Sequence, residues 1–182
     1  MRRRGCAGFG ALIAASAIAL ISARAQAHSA SDAYLTLTSQ KAVSSGPVAA
    51  TVVHAQWDIA LRDLDFVLKL DDDGDGKIVW RELHKHQKAL ADYAYTHLLF
   101  AGDGKLCRIE PNRQAVDFHA DGAYAVLFFD VLCNGTAQRL TVDYRLFFKI
   151  DPSHRAILVL RSAGTVATSL VSPANAKIEL GL

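Results

Sequence analysis

The sequence has no nucleophile elbow, no HExxH pair and no glycine-rich phosphate loop, so serine-hydrolase, zincin and phosphate-loop chemistry have no motif to rest on. It holds one methionine and three cysteines. A single methionine excludes the Met-rich groove of a calmodulin-like sensor. No CxxC spacing or neighbouring histidine completes a zinc shell around the cysteines. An excess of one charge is missing too: 20 Lys and Arg face 18 Asp and Glu, and several of the basic residues fall at the extreme N-terminus. The rest of the chain is near neutral and carries no electrostatic footprint for nucleic acid. Phe9 to Ile21 is an apolar run, but it falls short of the ~20 residues that a membrane span needs. No internal repeat or low-complexity segment is visible.

What is present begins with an address. Arg2, Arg3 and Arg4 precede that apolar run, and Ala25-Gln26-Ala27 matches a small-x-small cleavage pattern. Residues 1–27 therefore read as a secretory signal, and the mature chain is expected to begin at His28 in an oxidising, periplasmic or extracellular compartment. About 155 residues remain, enough for one domain with its own core. Cys6 leaves with the signal, whereas Cys107 and Cys133 form an even pair that favours a disulfide over two buried thiols.

The most informative stretch is Asp71-Asp72-Asp73-Gly74-Asp75-Gly76-Lys77-Ile78-Val79-Trp80-Arg81-Glu82. It reads as an EF-hand calcium loop. Ca²⁺ prefers oxygen ligands in flexible geometry; carboxylates at positions 1, 3 and 5 are Asp71, Asp73 and Asp75. The Lys77 carbonyl serves at position 7, and Glu82 at position 12 can close the shell with both oxygens. Gly76 provides the sharp turn and Ile78 an apolar anchor. An acidic surface turn would explain some of these residues, but not alternate carboxylates followed by Gly and Glu. Val79 departs from the pattern, since position 9 often anchors a water.

Around the loop the expected elements are strands at Ala33–Thr38 and Val48–Trp57, a helix capped by Asp58 and running to Leu70, and a long helix from Trp80 to Phe100. No second calcium loop follows, and EF-hands usually pair, so the two helices need another surface to pack on. From Lys105 the pattern becomes short strands: Lys105–Ile109, Ala115–His119, Ala123–Leu132, Arg139–Phe148, Ala156–Ser162, Thr165–Ser172 and Lys177–Leu180. Leu146–Ile150 reads as an apolar interior strand. The expected fold is α+β, an antiparallel β-sandwich with an inserted helix–loop–helix over residues 58–100. Asn134-Gly135-Thr136, formally a glycosylation triplet, reads first as a turn.

Several of these stretches resemble the periplasmic N-terminal domain of HupE/UreJ-type bacterial membrane proteins. They are Ala27-His28, Ser31-Asp32-Ala33-Tyr34-Leu35, Trp57 to Asp65, the calcium loop into Trp80, and Asp151-Pro152-Ser153-His154-Arg155. The resemblance implies a secreted sensor, stabilising or assembly domain, with an inner-membrane permease-like protein as partner. Relatives of that type continue into a multi-helix membrane section, and some resemble nickel or cobalt permeases. No such section occurs in these residues, so permease activity is not carried over.

The expected function is a non-catalytic calcium-binding module. A second expectation is transition-metal binding (copper, nickel or cobalt): cleavage after Ala27 would give His28 a free amine beside its imidazole. His54, His119 or His154 would then supply a second imidazole. His84 and His86, two apart on the exit helix, diverge and read as solvated. Asp63 and Asp65 are too divergent for a carboxylate pair.

Overall fold

The computed structural model describes residues 32–39 and 50–182. The expected signal, its cleavage site, His28 and the turn at Ser44-Ser45-Gly46-Pro47 lie outside the described residues. In chain order the elements are β1 (Asp32–Ser39), β2 (Ala50–Ala60), α1 (Leu61–Leu68), α2 (Trp80–Thr96), β3 (Leu98–Gly102), β4 (Lys105–Leu106) and β5 (Arg108–His119). There follow β6 (Gly122–Asn134), β7 (Arg139–Tyr144), β8 (Arg155–Ser162), β9 (Thr165–Val171) and β10 (Lys177–Gly181). The class is α+β, and strand predominates.

The strands form two sheets, one ordered β5-β6-β2-β1-β8-β9 and the other β10-β7-β3-β4. Alternation sets the faces. In β1, Ala33, Leu35 and Leu37 are buried while the residues between them are half-buried. Leu35 stands level with Trp57 of β2 and Leu158 of β8, and Trp57 with Leu127 of β6, so one apolar row crosses four strands. A slip of one residue would turn that row to the other face. The second sheet adds Leu98, Phe100, Leu140, Val142 and Tyr144 to the same core. Trp57 and Tyr144 meet edge to face at 5.5 Å between ring centroids, joining the two sheets. The buried Tyr144 hydroxyl lies 2.8 Å from Nε2 of the equally buried His154.

The structure corrects several expectations. β1 runs antiparallel to β2 but parallel to β8, so the larger sheet is not purely antiparallel. The matched burial of Leu35 with Leu158 and Leu37 with Leu160 holds the parallel pair in register. Asp58 does not cap a helix. Its backbone continues the ladder between Tyr34 and Val126, and its buried carboxylate meets Gln56 Nε2 at 2.9 Å and His119 Nε2 at 3.2 Å. Pairing on both sides of β2 outweighs the local capping preference of Asp. The helix α1 starts at Leu61 and stops at Leu68, where Lys69 turns left-handed. The helix α2 ends at Thr96, because Leu98–Gly102 pairs with β7. Lys105–Ile109 and Ala115–His119 are not two like strands: a short β4 precedes a long β5 that bulges between Pro111 and Arg113. The strand expected to reach Phe148 stops at Tyr144. Leu146–Ile150 is a turn, with Leu146 and Phe147 buried and Phe147 at φ +60°.

Cys107, between β4 and β5, is bonded to Cys133 on β6 with Cα atoms 4.4 Å apart. The bridge ties the end of the smaller sheet to the larger one. Space beside it is tight: a Cβ on Gly102 would lie 3.1 Å from Cys133 Cβ and 2.9 Å from Ala137 Cβ. The bridge closes a loop with a sequence separation of 26 residues. Replacing both cysteines by alanine should lower unfolding free energy by about 3 kcal/mol. Urea titration of the paired variants checks this, with an unchanged midpoint the contrary result.

Candidate metal centre

The loop is built from its entry side. α1 ends where the Lys69 N–H bonds the Asp65 carbonyl at 2.8 Å. The carboxylate of Asp65 then accepts the N–H groups of Leu70 (2.7 Å) and Asp71 (3.0 Å), fixing the start of the loop. Leu70 is fully buried and Ile78 packs against the core, so the loop is pinned at both shoulders.

Between them the aspartates organise the backbone. Asp71 accepts Gly74 N–H and Gly76 N–H, each at 2.8 Å, one on each carboxylate oxygen. Gly76 sits at φ +81°, a conformation that a side chain would oppose. Asp73 accepts Asp75 N–H at 3.2 Å, and Asp75 accepts Lys77 N–H at 2.8 Å. Glu82 is 3 % exposed. One of its oxygens accepts Asp72 N–H and the other Val79 N–H, both at 2.9 Å. The second bond is the reciprocal half of a capping box at the start of α2; Val79 has no side-chain acceptor for the other half.

These constraints bring Asp71, Asp73 and Glu82 together, each offering an oxygen within 4.8 Å of the others. Asp75 is not in that trio, and Lys77 follows it in the same loop. The donor set is all oxygen, which suits a hard cation such as Ca²⁺ over a soft one. Each carboxylate oxygen has two lone pairs, so one N–H bond leaves capacity for a cation.

Two contacts were not legible in sequence. Lys85 Nζ meets Asp72 at 2.8 Å, and His86 Nε2 meets its other oxygen at 3.1 Å. His86 is thus engaged with the loop rather than solvated, while His84 is exposed. The bond from Lys85, and then that from His86, holds the Asp72 carboxyl below the usual carboxylate range. Position 2 of the loop is thereby clasped to α2. Asp65 gives no carboxylate-pair signal in the sequence, and its role as a backbone acceptor has no motif of its own.

Beside the loop lies a cleft of about 330 Å³, with Asp71, Gly76 and Ile78 on one wall and Arg62, Asp121 and Tyr124 on the other. Arg62 bonds the Asp121 carbonyl at 3.2 Å, and the Tyr124 hydroxyl donates to the Asp121 carboxylate at 2.9 Å. That second bond leads the causes holding the Asp121 carboxyl low. Each of the histidines named as a second imidazole has a partner of its own: His54 pairs with Asp130 at 2.6 Å, His119 with Asp58, and His154 with Tyr144. No helix among the described residues is long and apolar enough to cross a membrane. No family model matches the chain, and no curated protein matches it.

The trio sets an order among variants. Glu82→Gln should weaken Ca²⁺ binding most, by tenfold or more, because it removes charge from the ligand meant to supply two oxygens. Asp75→Asn should weaken it less, since Asp75 stands outside the trio. Isothermal calorimetry on the two variants checks this; equal losses would contradict it.

Proposed function

We propose that the protein is an exported, non-catalytic calcium-binding module. Its helix–loop–helix of EF-hand type sits on a β-sandwich, and it acts as a structural or accessory domain to a membrane protein. The observation that carries this reading is the convergence of Asp71, Asp73 and Glu82 in a loop already bent by its own hydrogen bonds. The ligand set runs Asp71, Asp73, Asp75, the Lys77 carbonyl and Glu82, in the order that an EF-hand loop requires.

The signal-like N-terminus and the cysteine pair support an oxidising compartment, where modules of this kind work at roughly 10⁻⁴–10⁻³ M Ca²⁺. The resemblance to HupE/UreJ-type N-terminal domains supports an inner-membrane partner. A single hand with one methionine in the chain favours a structural ion over an opening sensor. The oxygen-only trio favours calcium over copper or nickel.

Chelator-treated protein titrated with CaCl₂ should bind one ion per chain. Saturation should raise the melting temperature by very roughly 5–10 °C, from a linkage term of about 2.7 kcal/mol at a hundredfold excess over Kd. No heat at millimolar calcium would overturn the reading.

A further inference from the structure

Among the described residues the two sheets have four edges, and these are not equally protected. β5 carries the bulge at Pro111 and the charges of Arg108, Glu110, Arg113 and Asp117. β4 is two residues long, and β10 carries Lys177 and Glu179. These are the ordinary guards against strand-to-strand association. β9 has none of them: Thr165–Val171 holds no charge and no proline, and its register with β8 runs without a bulge. Among the described residues no strand pairs with its outer side. An edge strand of this kind presents alternate N–H and C=O groups outward. Val166 and Leu170 flank Thr168 on one face and are 60 % and 59 % exposed.

The strand is also nearly symmetric about its middle. On either side of Thr168 lie the small residues Ala167 and Ser169, then the branched apolar Val166 and Leu170, then the β-branched Thr165 and Val171. Antiparallel pairing about a twofold axis at Thr168 sets Val166 opposite the partner's Leu170 and Leu170 opposite the partner's Val166. Matched apolar pairs of this sort stabilise neighbouring strands. A symmetric, uncharged strand complements a second copy of itself, the requirement for an isologous dimer.

We propose that β9 is the edge through which two copies of this chain join, making one continuous sheet from the two larger sheets. Seven residues per side bury less than the ~1,200 Å² of a stable interface, so the dimer is weak and concentration-dependent. Sedimentation velocity on the purified protein should show monomer at micromolar and dimer towards millimolar concentration. Val166→Lys and Thr168→Lys, which install the missing guard, should remain monomeric with unchanged circular dichroism. Thr168→Cys should cross-link copies under mild oxidation, whereas Phe118→Cys, at the far end of β5, should not. A monomer at every concentration, or a dimer unaffected by Val166→Lys, would overturn the proposal. So would a monomer whose β9 amides resist hydrogen exchange, since the edge would then be covered by its own chain.

Discussion

The carboxylate of Glu82 is where the helices, the loop and the candidate ion site meet. It is buried, and its two oxygens bind the backbone at Asp72 and Val79, while one of its oxygens lies within 4.8 Å of carboxylate oxygens on Asp71 and Asp73. One bond caps α2, and the other draws in the opposite end of the loop. Burying a negative group costs free energy unless it is paired or hydrogen-bonded. Two backbone donors offset part of that cost, and a divalent cation would offset more. The same cation would relieve the repulsion among the three converging acids, so ion and loop conformation are linked.

The β core supplies what a lone helix–loop–helix lacks. Leu61, Leu64 and Leu70 on the entry side and Leu83, Leu90 and Ala94 on the exit side all enter the core shared by both sheets. Arg62 reaches the turn between β5 and β6, and Lys85 and His86 reach back to the loop. The unit is therefore braced from below by apolar packing and around its rim by charge. The disulfide lies elsewhere, between β4 and β6, and steadies the joint between the sheets.

Legibility in the sequence followed the range of the interactions. The loop was readable because its chemistry is local: alternate Asp, then Gly, then Glu, within a dozen residues. The strand signals of β1, β6 and β8 were readable for the same reason. Asp58 resembles a helix cap because its capping preference is local, whereas the ladders to β1 and β6 that hold it in a strand are not. The run Leu98-Leu99-Phe100 resembled the tail of a helix until β7 paired with it. The parallel pairing of β1 with β8 joins residues over a hundred positions apart and leaves no short-range trace. Lys85 and His86 meet Asp72 only because α2 folds back over the loop entry.

In the proposed calcium module, an ion at the Asp71–Glu82 loop would order the helices around it while the β core stands by itself. Hydrogen exchange measured with and without Ca²⁺ tests this most directly. Protection gained upon adding calcium should concentrate between Asp58 and Phe100, with the strands of both sheets little changed. A gain spread evenly through β1, β6 and β8, or none at all, would contradict the account.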